Sequence, residues 1–454
     1  MIKVLCVNIV DPISEVENRY PPLWPAYLAA NADRVLGEGR VDFQVMATGL
    51  EEEIDSYKPD IVALGSVSQN FGLAKQQARV GKERGLPVVI GGPHISLLPE
   101  CLTRDMDVGC IGEGEQTFAE LLKLFLDQGR FTPDALREIS GIAYHEDGQV
   151  KVTSRRELIP NLDDVPHPKR SLIGYGRDPY IIGSRGCPYK CTYCASSRFW
   201  KTYRVASADY AVEEVAELAE HGARLIRFND DLFMSSRSRV EKIIADLQNR
   251  GLLGKIAFSC SLRANLVTKE LAALLKRMNV ASVTMGLESG CNRVLASLKG
   301  GVTVQQNEAA VNFLKDAGIQ CNAFFVIGAP DETEDEIMQT YRFIKRSRLD
   351  FVNVYVLVPL PGTPIWDFAT EKGLVSADMD WTLLNMNFEF NADRLVIVSQ
   401  NLTRDEIKRL YGKFRRQRLY RILKALPRSP WLRDVPRVVV GDLLERMRRL
   451  VSKV

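Results

Sequence analysis

Tyr180–Cys194 reads YIIGSRGCPYKCTYC: a short apolar strand, a glycine, and then Cys187, Cys191 and Cys194 in C-x3-C-x2-C spacing. Thiolates are the usual ligands of iron–sulfur clusters, and a four-iron four-sulfur cluster normally takes four. The next cysteine, Cys260, lies far outside any local loop. A cluster held by these three would leave one iron open to a small-molecule chelate. Zinc is the alternative, but it favours four closed ligands on CxxC pairs. No second pair is present, and His167 and His221 lack finger-like spacing.

Downstream, the pattern repeats as strand then helix. Strands are predicted at 180–183, 225–228, 257–259, 282–286, 323–327 and 352–358, with helices at 207–221, 235–250, 268–278, 303–317 and 333–347. Six such units suit a partial (β/α)6 TIM barrel over 179–375, whose site lies at the C-terminal strand ends. The cysteine run falls just beyond the first strand. Cys260, Cys291 and Cys321 read as core thiols, because free cysteine is among the most buried residue types.

Upstream, residues 1–130 alternate buried strands (2–9, 60–65, 87–90, 108–111) with helices (23–35, 71–84, 117–127). This is the pattern of an α/β doubly wound parallel sheet, whose ligands sit beyond the strand C-termini. Those ends carry Ser66 and Ser68, Gly91-Gly92-Pro93-His94, and Gly112-Glu113-Gly114-Glu115. Residues 131–178 read as a connector with a hairpin turning at Glu146-Asp147-Gly148.

At 454 residues the chain is long enough for two or three domains. Its 46% hydrophobic and 26% charged content is that of a soluble globular protein, and no stretch is long enough to span a bilayer. Nine cysteines without a disulfide framework fit a reducing, cytoplasmic setting. Charge is uneven: residues 401–454 carry a net +11, the first 400 a net −8. The C-terminal region, 376–454, is read as a strand at 388–398, then a helix capped by Thr403 with Glu406, and a second basic helix at 442–452. Its apolar stripe (Ile407, Leu410, Tyr411, Phe414, Ile422, Leu423, Leu426) either packs on the barrel or lies on an anionic membrane surface. No nucleic-acid module accompanies the charge.

The cysteine run resembles the signature of the radical S-adenosylmethionine (SAM) superfamily, in which the open iron binds SAM. By that resemblance, contacts to SAM fall to Tyr193, Arg204, Asn229, Asp230 (or Asp231), Arg263, Glu288, Ile327 and Val358. An arginine or glutamate at such a mouth is as readily part of a structural ion pair. SVS, GGPHISLLPE and IGEGEQTF, with YPPLWPAYLAA, are similar to the cobalamin-binding domain that precedes many radical SAM cores. That assigns cobalamin contacts to Ser66, Ser68, Gly91, Gly92, His94, Gly112, Glu113 and Gly114. The D-x-H-x-x-G loop of the methionine-synthase type is missing from NIVDPISEVEN, so the lower face of cobalt is expected to lack a histidine. His94 is expected at the rim.

The resemblance implies a four-iron four-sulfur cluster, SAM and cobalamin. It also implies methyl transfer to an unactivated carbon or a phosphinate phosphorus of a small or lipid-like substrate, with flavodoxin or ferredoxin as electron donor. Radical ring formation, as in the anaerobic magnesium-protoporphyrin ester cyclase, is the alternative. A methylthiotransferase would need three further N-terminal cysteines and an RNA-binding domain. A non-catalytic cobalamin or SAM sensor would not require the intact cysteine run. Peripheral contact with the inner membrane surface is the remaining expectation for the tail.

Overall fold

Strand β1, Ile2–Asn8, is apolar on both faces, as central strands of parallel sheets are. Val4 and Cys6 face one layer of helices while Leu5 and Val7 face the other. The computed structural model describes residues 1–11, 21–176, 178–233, 236–386, 388 and 394–425. β1 is joined by β2 (Val41–Met46), β3 (Ile61–Gly65), β4 (Val88–Gly91), β5 (Val108–Cys110), β6 (Ile142–Glu146) and β7 (Gln149–Val152), in the order β2-β1-β3-β4-β5-β6-β7. The first five are parallel, and the order reverses between β1 and β3, where doubly wound sheets open their ligand crevice.

Among the elements not read from the sequence are β2 and the helix Leu50–Tyr57. β2 is an edge strand, and the helix buries only Leu50 and Ile54, so neither shows a long apolar period. The hairpin turns at Asp147-Gly148, both at positive φ, as a two-residue turn requires. It does more than bridge: β6 pairs antiparallel with β5, so the hairpin extends the first sheet.

The second sheet is parallel and consecutive, β15-β14-β13-β12-β11-β8. Its strands are β8 (Tyr180–Ile181), β11 (Leu225–Phe228), β12 (Ala257–Leu262), β13 (Val280–Glu288), β14 (Gln320–Ile327) and β15 (Phe351–Val356). Five helices from Ala208–Glu220 to Glu334–Arg346 alternate with β8 to β15, each within two residues of its predicted bounds at either end. Two short strands, β9 (Ser184–Arg185) and β10 (Arg204–Val205), pair antiparallel, and the cysteine run loops out between them.

The C-terminal region departs from the prediction. Residues 394–398 form no strand; the rest of the predicted 388–398 strand lies outside the described residues apart from Phe388. Leu395, Val396 and Val398 are nonetheless buried. Trp366, Trp381, Leu384, Val396 and Val398 join Leu64, Phe71 and Ala74 of the first domain in one continuous core. The helix Arg404–Ala425 starts at the predicted cap: Thr403 N–H donates to Glu406 Oε2 at 2.8 Å. Its Ile407, Leu410, Tyr411 and Phe414 bury against the second sheet's core. The side chains of Ile422 and Leu423, with Leu426 and the predicted helix at 442–452, lie outside what is described. No described helix is long and apolar enough to cross a membrane.

Candidate functional site

The cysteine loop stands at the C-terminal end of β8, pinned from several sides. Thr192 donates its N–H to Leu298 O at 2.8 Å, and Cys194 N–H reaches Cys191 O at 3.3 Å. Cys191 is buried; Cys187 and Cys194 are half-buried. Burial raises the Cys187 thiol and pushes that of Cys194 up to about 11, while backbone N–H groups of Tyr189 (on Cys187) and of Ser196 and Ser197 (on Cys194) favour their thiolates. Three cysteine sulfurs with donors aimed at them fit a cluster, whose properties depend on hydrogen bonds to sulfur. Among the described residues no three His, Cys, Asp or Glu side chains converge to hold a single metal ion. Cluster thiolates bind different irons, so convergence is not required of them.

Three of the predicted SAM residues gather around this loop. Arg263, at the end of β12, lies with its guanidinium 3.9 Å from the centre of the Tyr189 ring. It donates Nη1 to Cys191 Sγ at 3.5 Å, Nη2 to the carbonyls of Lys299 and Gly300, and Nε to Asn265 Oδ1. Glu288 ends β13 at φ +61°, a conformation a non-glycine residue holds only when its surroundings impose it. Its Oε1 meets Lys299 Nζ at 3.2 Å, both side chains being buried. Burial, with the Glu288 carboxylate as hydrogen-bond partner, lifts the Tyr193 phenol well above its ordinary range.

The others are placed differently. Asn229 is exposed past β11. Asp230 turns inward, 4% exposed, and its Oδ1 accepts N–H bonds from Gly183 at 2.7 Å and Ser184 at 3.1 Å. Asp231 instead accepts from Ser196 Oγ beside the cysteine loop. Ile327 and Val358 are buried at the ends of β14 and just past β15, with Leu357 N–H bonded to Ile327 O. Arg204 points to the other domain: its Nη1 meets Glu113 Oε2 at 2.9 Å.

Beyond the ends of β1, β3, β4 and β5 lies an apolar cleft of about 340 Å³. Gly65, Ser66, Gly91, Gly92, Gly112, Glu113 and Gly114 line it, facing Arg185, Phe199 and Trp200 from the second domain. Two of the glycines are sterically required. A Cβ on Gly65 would stand 2.5 Å from the Trp24 ring, and one on Gly92 (φ +110°) 2.4 Å from Ser66 O. Side chain-free backbone from three strand ends suits a broad ligand such as cobalamin.

Ser68 and His94 do not line this cleft. His94 is no rim residue: it is fully buried, Nδ1 3.0 Å from Ser68 Oγ, with its ring packed on Phe71 and Trp381. Burial in that aromatic nest lowers its pKa to about 3.

Sequence reasoning missed the network joining the domains. Arg185 donates Nη1 to Glu113 Oε1 at 2.6 Å and Nη2 to Glu115 Oε1 at 2.5 Å. Glu113 Oε2 also accepts from Ile159 N–H at 2.7 Å. Burial works against the Glu113 carboxylate, but these donors outweigh it and hold its pKa below the usual range. Arg185 sits two residues before Cys187, the one local hint. Lys299, the partner of Glu288, has no signal in the sequence at all.

Residues 181–344 match the radical SAM superfamily model and 10–122 the B12 binding domain model. The chain is 31% identical to an uncharacterized methyltransferase of Pyrococcus horikoshii over all of its own length and 97% of the relative's. It is 25% identical to the anaerobic magnesium-protoporphyrin IX monomethyl ester cyclase of Cereibacter sphaeroides, over 92% of this chain and 70% of that one. Among solved structures, the cobalamin-dependent radical enzyme OxsB with aqua-cobalamin and SAM bound superposes with a TM-score of 0.70 at 18% identity, covering 99% of this chain and 75% of that one. The methyltransferase TsrM of Kitasatospora setae, with cobalamin and a [4Fe-4S] cluster bound, gives 0.68 at 18%, over 81% and 75%. With a B12-binding domain set before a radical SAM domain and a relative matched end to end, the chain belongs to the cobalamin-dependent radical SAM methyltransferase family, enzymes that work with a four-iron four-sulfur cluster, SAM and cobalamin.

Proposed function

We propose that this protein methylates an unactivated carbon, or a phosphinate phosphorus, of a small-molecule substrate admitted between the cysteine loop and the cleft. One observation carries the reading: Phe199 and Trp200, five and six residues beyond Cys194, are themselves walls of the cleft. The two cofactor sites therefore adjoin. When bound, the cluster with SAM supplies a 5′-deoxyadenosyl radical and cobalamin supplies the methyl group.

Cys187, Cys191 and Cys194 are the ligands we assign to the cluster. Tyr193, Arg263, Glu288 and Asn229, with the backbone at Ile327 and Val358, are assigned to SAM. Arg263 already holds Cys191 and the 299–300 turn, so it would orient the loop as well as meet a carboxylate. Arg204 and Asp230 are assigned to positioning instead, because their partners lie elsewhere. Gly65, Ser66, Gly91, Gly92, Gly112 and Gly114 are assigned to cobalamin, with Ser68 and His94 as supports behind it. Phe199, Trp200 and the buried Arg185–Glu113 pair keep the shared wall dry, which a radical reaction needs. Flavodoxin or ferredoxin would supply electrons. A lipid-like substrate could be met at the inner membrane surface through exposed Arg415 and Arg416.

The match to the magnesium-protoporphyrin cyclase along nearly the whole chain favours radical ring formation as the second reading. Anaerobic protein carrying the cluster and cobalamin is incubated with SAM, a low-potential reductant and extracts of candidate substrates. S-adenosylhomocysteine and 5′-deoxyadenosine formed together support methyl transfer. 5′-Deoxyadenosine without S-adenosylhomocysteine removes it and leaves ring formation.

A further inference from the structure

Glu113 belongs to the strand-end loop of the first domain, yet its carboxylate closes the base of a loop in the second. Residues 186–203, the three cysteines included, loop out between β9 and β10, and Arg185 and Arg204 are partners across that ladder. Like charges directly opposite one another destabilise a strand pair. Both guanidinium groups are largely withdrawn from water, their side chains 7% and 10% exposed, so water screens them little. A carboxylate between them is what lets this base close. Glu113 provides it, one oxygen for each arginine, with Ile159 N–H sharing the second. Glu115 takes the other half of the Arg185 fork.

The same short backbone, Gly112 to Glu115, is a wall of the cleft. We propose that Glu113 is a positioning residue that couples the two sites. A ligand seated in the cleft fixes the segment that carries this carboxylate, and the carboxylate fixes the ends of the loop that carries the cysteines. The inference rests on reading the cleft as the cobalamin site and the loop as the cluster site. Coupling between sites is reciprocal, so a formed cluster must tighten cobalamin binding by the factor that cobalamin returns to the cluster.

The test titrates hydroxocobalamin into anaerobic protein with the cluster reconstituted and into the same protein without it. The readout is the ratio of the two dissociation constants. In the wild type the ratio is expected to be about tenfold, within the ordinary range for coupled sites. In Glu113→Gln, which keeps the shape and removes the charge, it collapses towards one. Arg204→Lys keeps the charge and loses the fork; it falls in between, and it serves if circular dichroism shows Glu113→Gln unfolded. A merely structural role would weaken both affinities together and leave the ratio in place. A wild-type ratio near one, or a ratio retained in both variants, overturns the coupling while cobalamin binding stands. Hydroxocobalamin binding to neither form overturns the cobalamin reading and the coupling with it.

Discussion

Asp230 shows how a strand-end acid can be spent on architecture. Burial lifts its carboxyl to about 7, against the pull of Arg239 and of the Gly183 and Ser184 N–H groups. The native state therefore binds a proton that the unfolded chain, titrating near 4, has released. Stability contributed by this group is present at low pH and is lost as pH rises through about 4 to 7. Asp230→Asn keeps an acceptor for both N–H groups and titrates nowhere. Relative to wild type, the variant should gain about 1.4 kcal/mol per pH unit across that window. Urea denaturation of the cofactor-free protein at half-unit steps checks this, and parallel curves for the two proteins would refute it. Asp230, Glu113 and Arg204 could be picked out from the sequence as polar residues at strand ends. Their duties could not, because each partner lies far away in the chain: Gly183 is 47 residues from Asp230, and Arg204 is 91 from Glu113.

At the level of elements, the helix Arg404–Ala425 was legible where its pattern was strong. A capping box and an apolar residue every three or four positions marked its start and its buried face. Thr403→Ala removes the acceptor that caps the first turn and should cost about 1 kcal/mol. Leu410→Ala, at a fully buried position against the second sheet's core, should cost about 2–5 kcal/mol. The two midpoints in urea separate these contributions, and equal losses would mean that the stripe is not packed as described. The strand–helix units of the second domain were legible for the same reason. β2 and the helix Leu50–Tyr57 were not, since an edge strand and a two-turn helix bury too few residues to leave a period. The described part of the predicted 388–398 strand, residues 394–398, failed differently. Its buried Leu395, Val396 and Val398 fill a core without pairing, and an apolar run reads the same either way.

Across the whole molecule, the domains share more than a boundary. Trp381 stacks on Trp366 with centroids 5.8 Å apart, meets the His94 ring at 4.4 Å, and sets its ring edge-on to Phe71 at the start of the helix Phe71–Glu83. This joint core predicts one cooperative thermal transition for the wild type. Trp381→Ala should cost about 3–5 kcal/mol and split the calorimetric peak into two. A single peak merely shifted downwards would show that the domains are coupled elsewhere. No separate reading of the two halves could have seen this, because the tryptophan and the rings it covers are some three hundred residues apart in the chain.

That separation has a consequence for how the chain is made. Domains emerging from the ribosome tend to fold in order, the N-terminal one first. Here the first sheet is complete once residue 152 has emerged, with helices Leu50–Tyr57 and Phe71–Glu83 on the Leu5 and Val7 face, but Phe71 and His94 lack their aromatic cover until Trp381 arrives. For most of its synthesis the nascent chain carries that aromatic patch bare, and the fragment ending before residue 360 is a natural client for a chaperone.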